Sequence, residues 1–285
     1  MGAEAAGEPA GVMESAHVAV NADGGLSGLV EPTDAERARF LIARGGDEAA
    51  AKEMLTAYLE WRRTALPAAP GARALGSGLP MCAQVLDASV RCRNGRRILA
   101  VLGAMYDSDL GSADEYAMAI ARMMDAALDR ATDEKMTVVV DVRGGDGFAN
   151  PRPWSVLPWM KQLAYTLPPN FPERLGTMLV LPVPWVAKAL WVAASQLLDE
   201  TTVAKCQPIS GPASRSDPLP EGADAVLGPD ALAAFETFRQ GAIKQALSEA
   251  GAKTSGAASS TPPDDSQPAT ERSYMGSLAS SLSIW

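Results

Sequence analysis

Three short apolar runs constrain the fold of this chain more than any other feature. Ile98 to Leu102, Met136 to Val142 and Thr177 to Val183 each have the length of a β-strand. Helical patterns fill the intervals between them, at about residues 113–131 and 154–166. Strands that alternate with helices of this length indicate βαβ units. The sequence therefore predicts an α/β fold, in which helices cover a mixed or parallel sheet.

The longest apolar stretch, from Met178 to Ser195, is long enough to resemble a membrane span. Two prolines interrupt it near its start, and Lys188 lies near its centre. A charge at that depth costs roughly 2.5 to 3.5 kcal/mol on insertion scales. We therefore interpret the stretch as a buried strand followed by an apolar helix from Trp185 to Leu198.

Two helices are predicted before the first strand, and one after the last. Thr33 or Asp34 caps the first helix, whose predicted apolar face is Ala38, Leu41 and Ile42. The second helix places apolar side chains at helical spacing, at Met54, Leu55, Tyr58, Leu59 and Trp61. The predicted order begins with a disordered tail (residues 1–30), a small helical lobe (31–66) and a linker (67–84). The main α/β domain (85–228), a C-terminal helix (229–250) and a mostly disordered tail (251–285) follow.

Composition excludes several functional classes. The formal charge of −9 and pI of about 4.8 count against nucleic-acid binding, because no basic run is present to neutralise phosphates. The only histidine, His17, lies in the predicted tail, and the three cysteines form no CxxC pattern. We therefore predict neither an enzyme nor a metal or other cofactor. The odd cysteine count and the lack of a secretion signal predict a cytoplasmic protein.

Five ordered blocks of sequence resemble one known family. They are Arg39-Phe-Leu-Ile-Ala-Arg44 with the helix ending at Trp61-Arg62, Arg93-Asn-Gly-Arg96, Val138 to Gly144, Asn170-Phe-Pro-Glu-Arg-Leu-Gly176, and Leu198-Asp-Glu-Thr-Thr-Val-Ala-Lys205. Together they resemble the CRAL-TRIO lipid-binding domain, in particular its phosphatidylinositol-transfer members. Each block alone is weakly specific, but their shared order makes a chance match unlikely.

The resemblance implies a phospholipid ligand and four polar contacts to its headgroup. In members that bind phosphatidylinositol, the positions that match Glu173 and Lys205 face the inositol phosphate, helped by the one that matches Thr202. The position that matches Arg44 assists from the helical lobe. Such side chains supply the cation and the acceptors that a buried phosphodiester with hydroxyls requires. Alternatively, Glu173 and Lys205 only neutralise each other in a cleft. Arg174 is predicted to tie the turn to nearby carbonyl groups.

The apolar helix resembles the family's gate helix, whose movement opens a cavity for acyl chains. The residues of this gate and pocket are predicted to be Trp185, Val186, Ala189, Leu190, Val192, Ala193 and Leu197. Burial of acyl chains contributes about 0.8 kcal/mol per CH₂, so a carrier needs a large apolar pocket. By resemblance, the lipid is exchanged during transient contact with a membrane surface.

Three departures from the family pattern affect the interpretation. Pro208 removes a ladder donor from the last predicted strand, which predicts a short or edge strand. Met136 and Val138 replace the Ser and Thr of the founding transfer protein, which argues against phosphatidylcholine as ligand. The closing segment after the last strand is also reduced. Two alternatives stay open: an adaptor with a degenerate pocket, and a carrier of an isoprenoid or tocopherol-like ligand.

Overall fold

The computed structural model of the protein describes residues 31–183, 188–198, 200–212 and 214–257. The predicted N-terminal tail, residues 1–30, lies outside the described residues, as does the end of the predicted C-terminal tail, residues 258–285. The chain divides into two compact units, Met1–Leu247 and Ser248–Trp285. The second unit is described only where it is helical, over residues 248–257.

Among the described residues, helices and strands alternate from Arg97 to Ser210, with two helices and three short strands before them. The α-helices are α1 (Asp34–Ala43), α2 (Glu48–Thr64), α3 (Ala113–Ala127), α4 (Leu157–Asn170), α5 (Lys188–Ser195), α6 (Glu200–Ala204), α7 (Asp224–Leu227) and α8 (Pro229–Ala257). The strands are β1 (Ala74–Leu75), β2 (Gly78–Leu79), β3 (Ala83–Val85), β4 (Arg97–Leu102), β5 (Met136–Asp141), β6 (Leu175–Val183) and β7 (Cys206–Ser210). Short 3₁₀ helices lie at Gly103–Met105, Pro153–Val156 and Glu221–Ala223.

The main sheet has five strands in the order β3-β4-β5-β6-β7. Strand β3 is antiparallel to β4, and the remaining pairs are parallel. The α/β class and the mixed sheet predicted from the sequence are thus confirmed. Strand β7, which contains Pro208, is an edge strand, as the missing backbone donor predicts.

The order of the strands decides where the helices lie. From β4 to β7, each crossover moves to the next strand in the same direction, and right-handed crossovers of this kind all lie on one face of the sheet. Helices α3 to α6 therefore occupy one face, which we call the crossover face. Consistently, Arg97 of β4 donates to the carbonyl of Ala127 at the end of α3. Helix α8 lies against the opposite face, the rear face, where Arg239 meets Asp141 of β5.

The two faces differ in how completely they are covered. Side chains alternate along each strand and partners in register share a face. The rear face is buried to within a few per cent, at Ile98, Ala100, Leu102, Val139, Asp141, Leu179 and Leu181. On the crossover face, Leu99 and Met136 are buried, whereas the centre of the sheet is only half-buried, at Val138, Val140, Met178 and Val180. We call these last four residues the apolar floor.

The helical lobe packs differently from the sequence prediction. Helix α2 buries Leu55, Tyr58 and Leu59 as its spacing predicts. The predicted apolar face of α1 is wrong, because Ile42 is 63% exposed and Leu41 is 36% exposed. Helix α1 instead buries Glu36, Arg39 and Phe40. The buried face of α1 contacts charged side chains and carbonyl groups of the main domain. Hydrophobic periodicity within α1 does not reveal such partners.

Glu36 joins the lobe to the loop after α3. Its fully buried carboxylate accepts two hydrogen bonds from Arg130, from Nε and Nη2, both at 2.7 Å, and one from the Tyr58 hydroxyl at 2.7 Å. Burial by itself would raise the pKa of Glu36, but the hydrogen bonds from Arg130 and from the backbone of Thr33 outweigh it. The pKa therefore lies below its usual value of 4.5.

We expect Glu36→Gln to lower the free energy of unfolding at neutral pH by about 3 kcal/mol, because it removes one partner of a buried ion pair. A depressed carboxyl pKa adds stability that is complete above the unfolded pKa and is lost as the pH falls through the folded pKa. The variant should therefore lose less stability than the wild type below about pH 4.5. Urea unfolding between pH 3 and 7 measures both effects. Glu60→Gln is the control variant, because Glu60 pairs with Arg63 in an exposed position. Equal acid sensitivity of wild type and Glu36→Gln would contradict this assignment.

A buried ion network holds α8 to the carboxyl end of β5. Asp141 accepts from Arg143 Nη2 at 2.7 Å, and the same Nη2 donates to Glu236 of α8 at 2.6 Å. Arg239 donates to the Gly144 carbonyl at 2.6 Å, and its Nε lies 3.3 Å from Asp141 without hydrogen-bonding geometry. Two acidic and two basic groups balance here, which makes the burial of Asp141, Arg143 and Arg239 tolerable.

Two segments have more regular structure than the sequence predicted. The linker predicted over residues 67–84 contains β1 and β2, and the edge strand β3 starts at its end. Leu75 and Leu79 of this segment are buried, so apolar anchors hold it to the domain. The C-terminal helix continues to Ala257, seven residues past the predicted end at 250.

Candidate functional site

Three charged residues meet at the amino edge of the sheet. Lys135 directly precedes β5, Lys205 directly precedes β7, and Glu173 lies two residues before β6. Because parallel strands all begin at the same edge, residues just before them become neighbours. Lys135 Nζ donates to Glu173 Oε2 at 3.0 Å, and Lys205 Nζ lies 3.7 Å from the same oxygen. We call these three residues the amino-edge cluster.

The amino-edge cluster carries one more positive than negative charge. Its side chains are 37% exposed at Lys135, 22% at Glu173 and 25% at Lys205, so a ligand from outside has access to them. Burial tends to raise the pKa of Glu173, but the hydrogen bond from Lys135 and the charge of Lys205 lower it overall. Glu173 is therefore ionised at neutral pH, and the excess positive charge suits an anion such as a phosphate.

The turn that presents Glu173 has an unusual backbone. Glu173 has a φ of 58°, in the left-handed region that non-glycine residues rarely adopt. Arg174 is 97% buried and donates from Nη1 to the Glu134 carbonyl at 2.8 Å and from Nη2 to the Asp129 carbonyl at 2.5 Å. These bonds confirm the predicted structural role of Arg174, and they hold the Glu173 turn against the start of β5.

Lys135 belongs to this site, although the sequence analysis did not select it. It makes the shorter of the two contacts to Glu173. A signal was present in the sequence, because Lys135 stands immediately before an apolar run, just as Lys205 stands before β7. Lys135 has no counterpart in the family motifs, so the motifs alone do not identify this cation from a neighbouring strand.

The apolar floor lies on β5 and β6, the strands that Lys135 and Glu173 precede. Lys135 and Val138 are three residues apart, about 10 Å along the strand, and this odd spacing directs their side chains to opposite faces of the sheet. The Lys205 carbonyl accepts a hydrogen bond from the Met178 amide at 2.9 Å, so the cluster is also bonded directly to β6. A cationic edge and a half-buried apolar surface thus belong to one sheet. A ligand with an anionic head and an apolar body could use both.

Of the four predicted headgroup residues, the structure brings two into contact. Glu173 and Lys205 form the pair described above. Thr202 lies on α6, one turn before Lys205, and its carbonyl accepts from the Lys205 amide at 3.0 Å. Arg44 is exposed at the end of α1 and lines a different groove, of about 520 Å³, together with Met54, Trp61, Pro169 and Asn170 among others. Glu173, Thr202 and Lys205 are not among the described residues that line this groove.

The predicted gate residues are described only in part. Trp185 and Val186 lie outside the described residues, and Ala189 and Leu190 belong to α5 without a description of their side chains. Val192 is 61% exposed, while Ala193 and Leu197 are half-buried. Helix α5 runs over Lys188–Ser195, which is shorter than the predicted Trp185 to Leu198, and it contacts α4.

The described residues offer neither a clustered metal site nor a membrane-spanning helix. Within those residues, no cluster of three or more His, Cys, Asp or Glu side chains is arranged to hold a metal ion. None of the helices described combines the length and the apolar character needed to span a bilayer. Cys82 and Cys92 are buried thiols, and burial raises the pKa of Cys82 to about 12.

Comparisons with known proteins relate this chain to one domain family and to one similar fold. The family model of the CRAL/TRIO domain matches residues 91–214, which include the amino-edge cluster and the apolar floor. The family predicted from the sequence blocks is thereby confirmed for this part of the chain. The crystal structure of Sfh5 has a similar fold, with a TM-score of 0.51 and 19% sequence identity. That likeness covers 62% of this chain and 64% of Sfh5, which is less than two thirds of its length. No curated protein sequence matches the chain.

Proposed function

This chain contains a CRAL/TRIO domain over residues 91–214, and we propose that it is a carrier that binds a phospholipid and exchanges it at membranes. The ligand's phosphate lies at the amino-edge cluster, and its acyl chains lie against the apolar floor. The role is binding and transfer rather than catalysis, and it is carried out in the cytoplasm.

One observation supports this proposal more than any other, namely that the sheet with the half-buried apolar floor carries a net cationic cluster at its amino edge. A phosphodiester away from bulk water requires charged donors, which Lys135 and Lys205 supply. Acyl chains require apolar surface, because each CH₂ transferred from the bilayer must recover about 0.8 kcal/mol in the carrier. An exposed ion pair without an apolar neighbour would support only ion binding.

The charges of the cluster favour phosphatidylinositol over phosphatidylcholine. The inositol headgroup combines a phosphate with hydroxyl groups, for which the ionised Glu173 is an acceptor. A choline headgroup carries a quaternary cation, which the two lysines would repel. By resemblance, Thr202 assists at the same headgroup, and Arg44 assists from the helical lobe.

Helix α5 is proposed as the gate over the apolar floor. It follows β6 and lies on the crossover face beside α4, which is the position from which a helix controls access to Val140 and Val180. Val192 of α5 is largely exposed, so the helix is only lightly packed there. Elements with little buried apolar contact open at low free-energy cost, as a gate requires.

Native mass spectrometry of the full chain tests the function directly. After incubation with vesicles that contain phosphatidylinositol and phosphatidylcholine, we expect one bound phospholipid per chain, with the mass of phosphatidylinositol. An isoprenoid-like mass would redirect the ligand assignment. A chain that stays free of any lipid at saturating vesicle concentration would contradict the carrier role and favour the adaptor.

A further inference from the structure

The outer face of α4 carries an exposed stripe of aromatic and basic residues. Trp154 in the preceding 3₁₀ helix is 56% exposed, and Tyr165 is 64% exposed. Pro158, Lys161 and Pro169 are exposed as well. The spacing of these five positions, at 154, 158, 161, 165 and 169, places them on one side of a helix. We call them the α4 stripe.

The opposite side of the same helix is an ordinary packed surface. Trp159 is 3% exposed, and its ring stacks on Tyr106 with centroids 4.8 Å apart. Thr166 is also buried. The exposure of Trp154 and Tyr165 therefore does not result from loose packing of α4. Large aromatic side chains that the described part of the chain leaves exposed on a well-packed helix indicate a binding surface.

The charge around the α4 stripe is opposite to that of the whole chain. The segment from Pro151 to Asn170 contains Arg152 and Lys161 and no acidic residue, whereas the chain carries a formal charge of −9. Lys161 Nζ lies 5.6 Å from the centroid of the Tyr165 ring. The neighbouring acid is Asp114 of α3, which accepts from Gln162 at 3.0 Å beside the stripe. The stripe thus presents positive charge between aromatic rings.

We infer that the α4 stripe docks the protein onto an anionic lipid bilayer. Trp and Tyr favour the level of the lipid headgroups, where one end of the ring is apolar and the other is wet. Lys161 and Arg152 add attraction to anionic lipids. Helix α4 ends at Asn170, three residues before Glu173. It also contacts α5, the helix on which Val192 is exposed. Docking through α4 would bring the entrance to the apolar floor to the membrane, an inference that rests on the proposed function.

Vesicle co-sedimentation of the full chain tests this surface. The vesicles contain phosphatidylcholine, either alone or with about 30% phosphatidylserine, which gives the second set a negative surface potential. We expect the double variant Trp154→Ser/Tyr165→Ser to bind the anionic vesicles at least about tenfold more weakly than the wild type, because binding scales with buried apolar area. Trp154→Phe/Tyr165→Phe should retain most of the binding.

The basic residue gives a second, independent readout. Lys161→Gln should weaken binding to anionic vesicles about fivefold and leave binding to pure phosphatidylcholine unchanged. Leu247→Ser is the matched control, since Leu247 is 48% exposed on α8, which covers the rear face. Its binding should equal that of the wild type. Thermal melting of each variant checks that the fold is intact.

The result separates docking from ligand binding. If the stripe only docks, Trp154→Ser/Tyr165→Ser still holds phosphatidylinositol in native mass spectrometry, while Lys205→Ala loses the lipid but still binds anionic vesicles. Wild-type vesicle binding by the folded double variant would overturn the inference. A second outcome would also overturn the inference: a wild type that dimerises and a double variant that is monomeric but binds vesicles equally well. The stripe would then bind a second copy of the chain.

Discussion

Replacement of Lys205 by alanine is expected to slow phosphatidylinositol transfer between vesicles roughly 30- to 150-fold, with the fold intact. The change removes a charge-assisted hydrogen bond to the phosphate, which contributes about 2 to 3 kcal/mol. It also leaves Glu173 with one cation fewer, so the carboxylate repels the phosphate more strongly. Transfer of labelled phosphatidylinositol from donor to acceptor vesicles measures the effect.

Two further variants make this experiment specific. Lys244→Ala removes an exposed lysine from α8, outside the crossover face, and should transfer at the wild-type rate. Lys135→Ala should give an intermediate loss, because Lys135 is more exposed than Lys205 and is better screened by water. If Glu173 and Lys205 only neutralise each other, a folded Lys205→Ala variant transfers normally. That outcome would reject the headgroup assignment.

Asp141→Ala is expected to destabilise the protein by about 3 to 5 kcal/mol. Removal of one partner from a buried ion network leaves uncompensated charges, here on Arg143 and Arg239. The nearby pair Asp146–Arg215 has the same chemistry but is 64% and 57% exposed. Asp146→Ala should therefore cost less than about 1 kcal/mol. Urea unfolding of the two variants compares them directly, and similar losses would show that burial of the network contributes nothing.

Much of the fold was predictable because its signals are local. The runs that form β4, β5 and β6 are continuous in sequence, and their length and apolar character already identify buried strands. The edge position of β7 was predictable from one residue, because Pro208 lacks the N–H group that an inner strand would need. The strand β3 was missed, since three residues of an edge strand carry no periodic pattern.

The candidate site was predictable only where a motif covers it. Glu173 and Lys205 are 32 residues apart in sequence, and only the family pattern linked them before the structure showed their contact. Lys135 has no motif and became part of the cluster because three parallel strands begin at one edge. Arg44 illustrates the converse case, since it fits the motif and yet lines a separate groove with Trp61 and Asn170.

The sequence by itself determined the α/β class, the central strands, the CRAL/TRIO match of residues 91–214 and the pair Glu173–Lys205, because apolar runs and motif spacing are properties of the linear chain. Only the tertiary structure decided which side of each helix is buried. Helix α1 buries Glu36 because Arg130 from the main domain meets it, and α4 exposes Tyr165 while Trp159 packs inward. Burial depends on which distant groups surround a side chain in the fold. The hydrophobicity pattern along one helix does not contain that information.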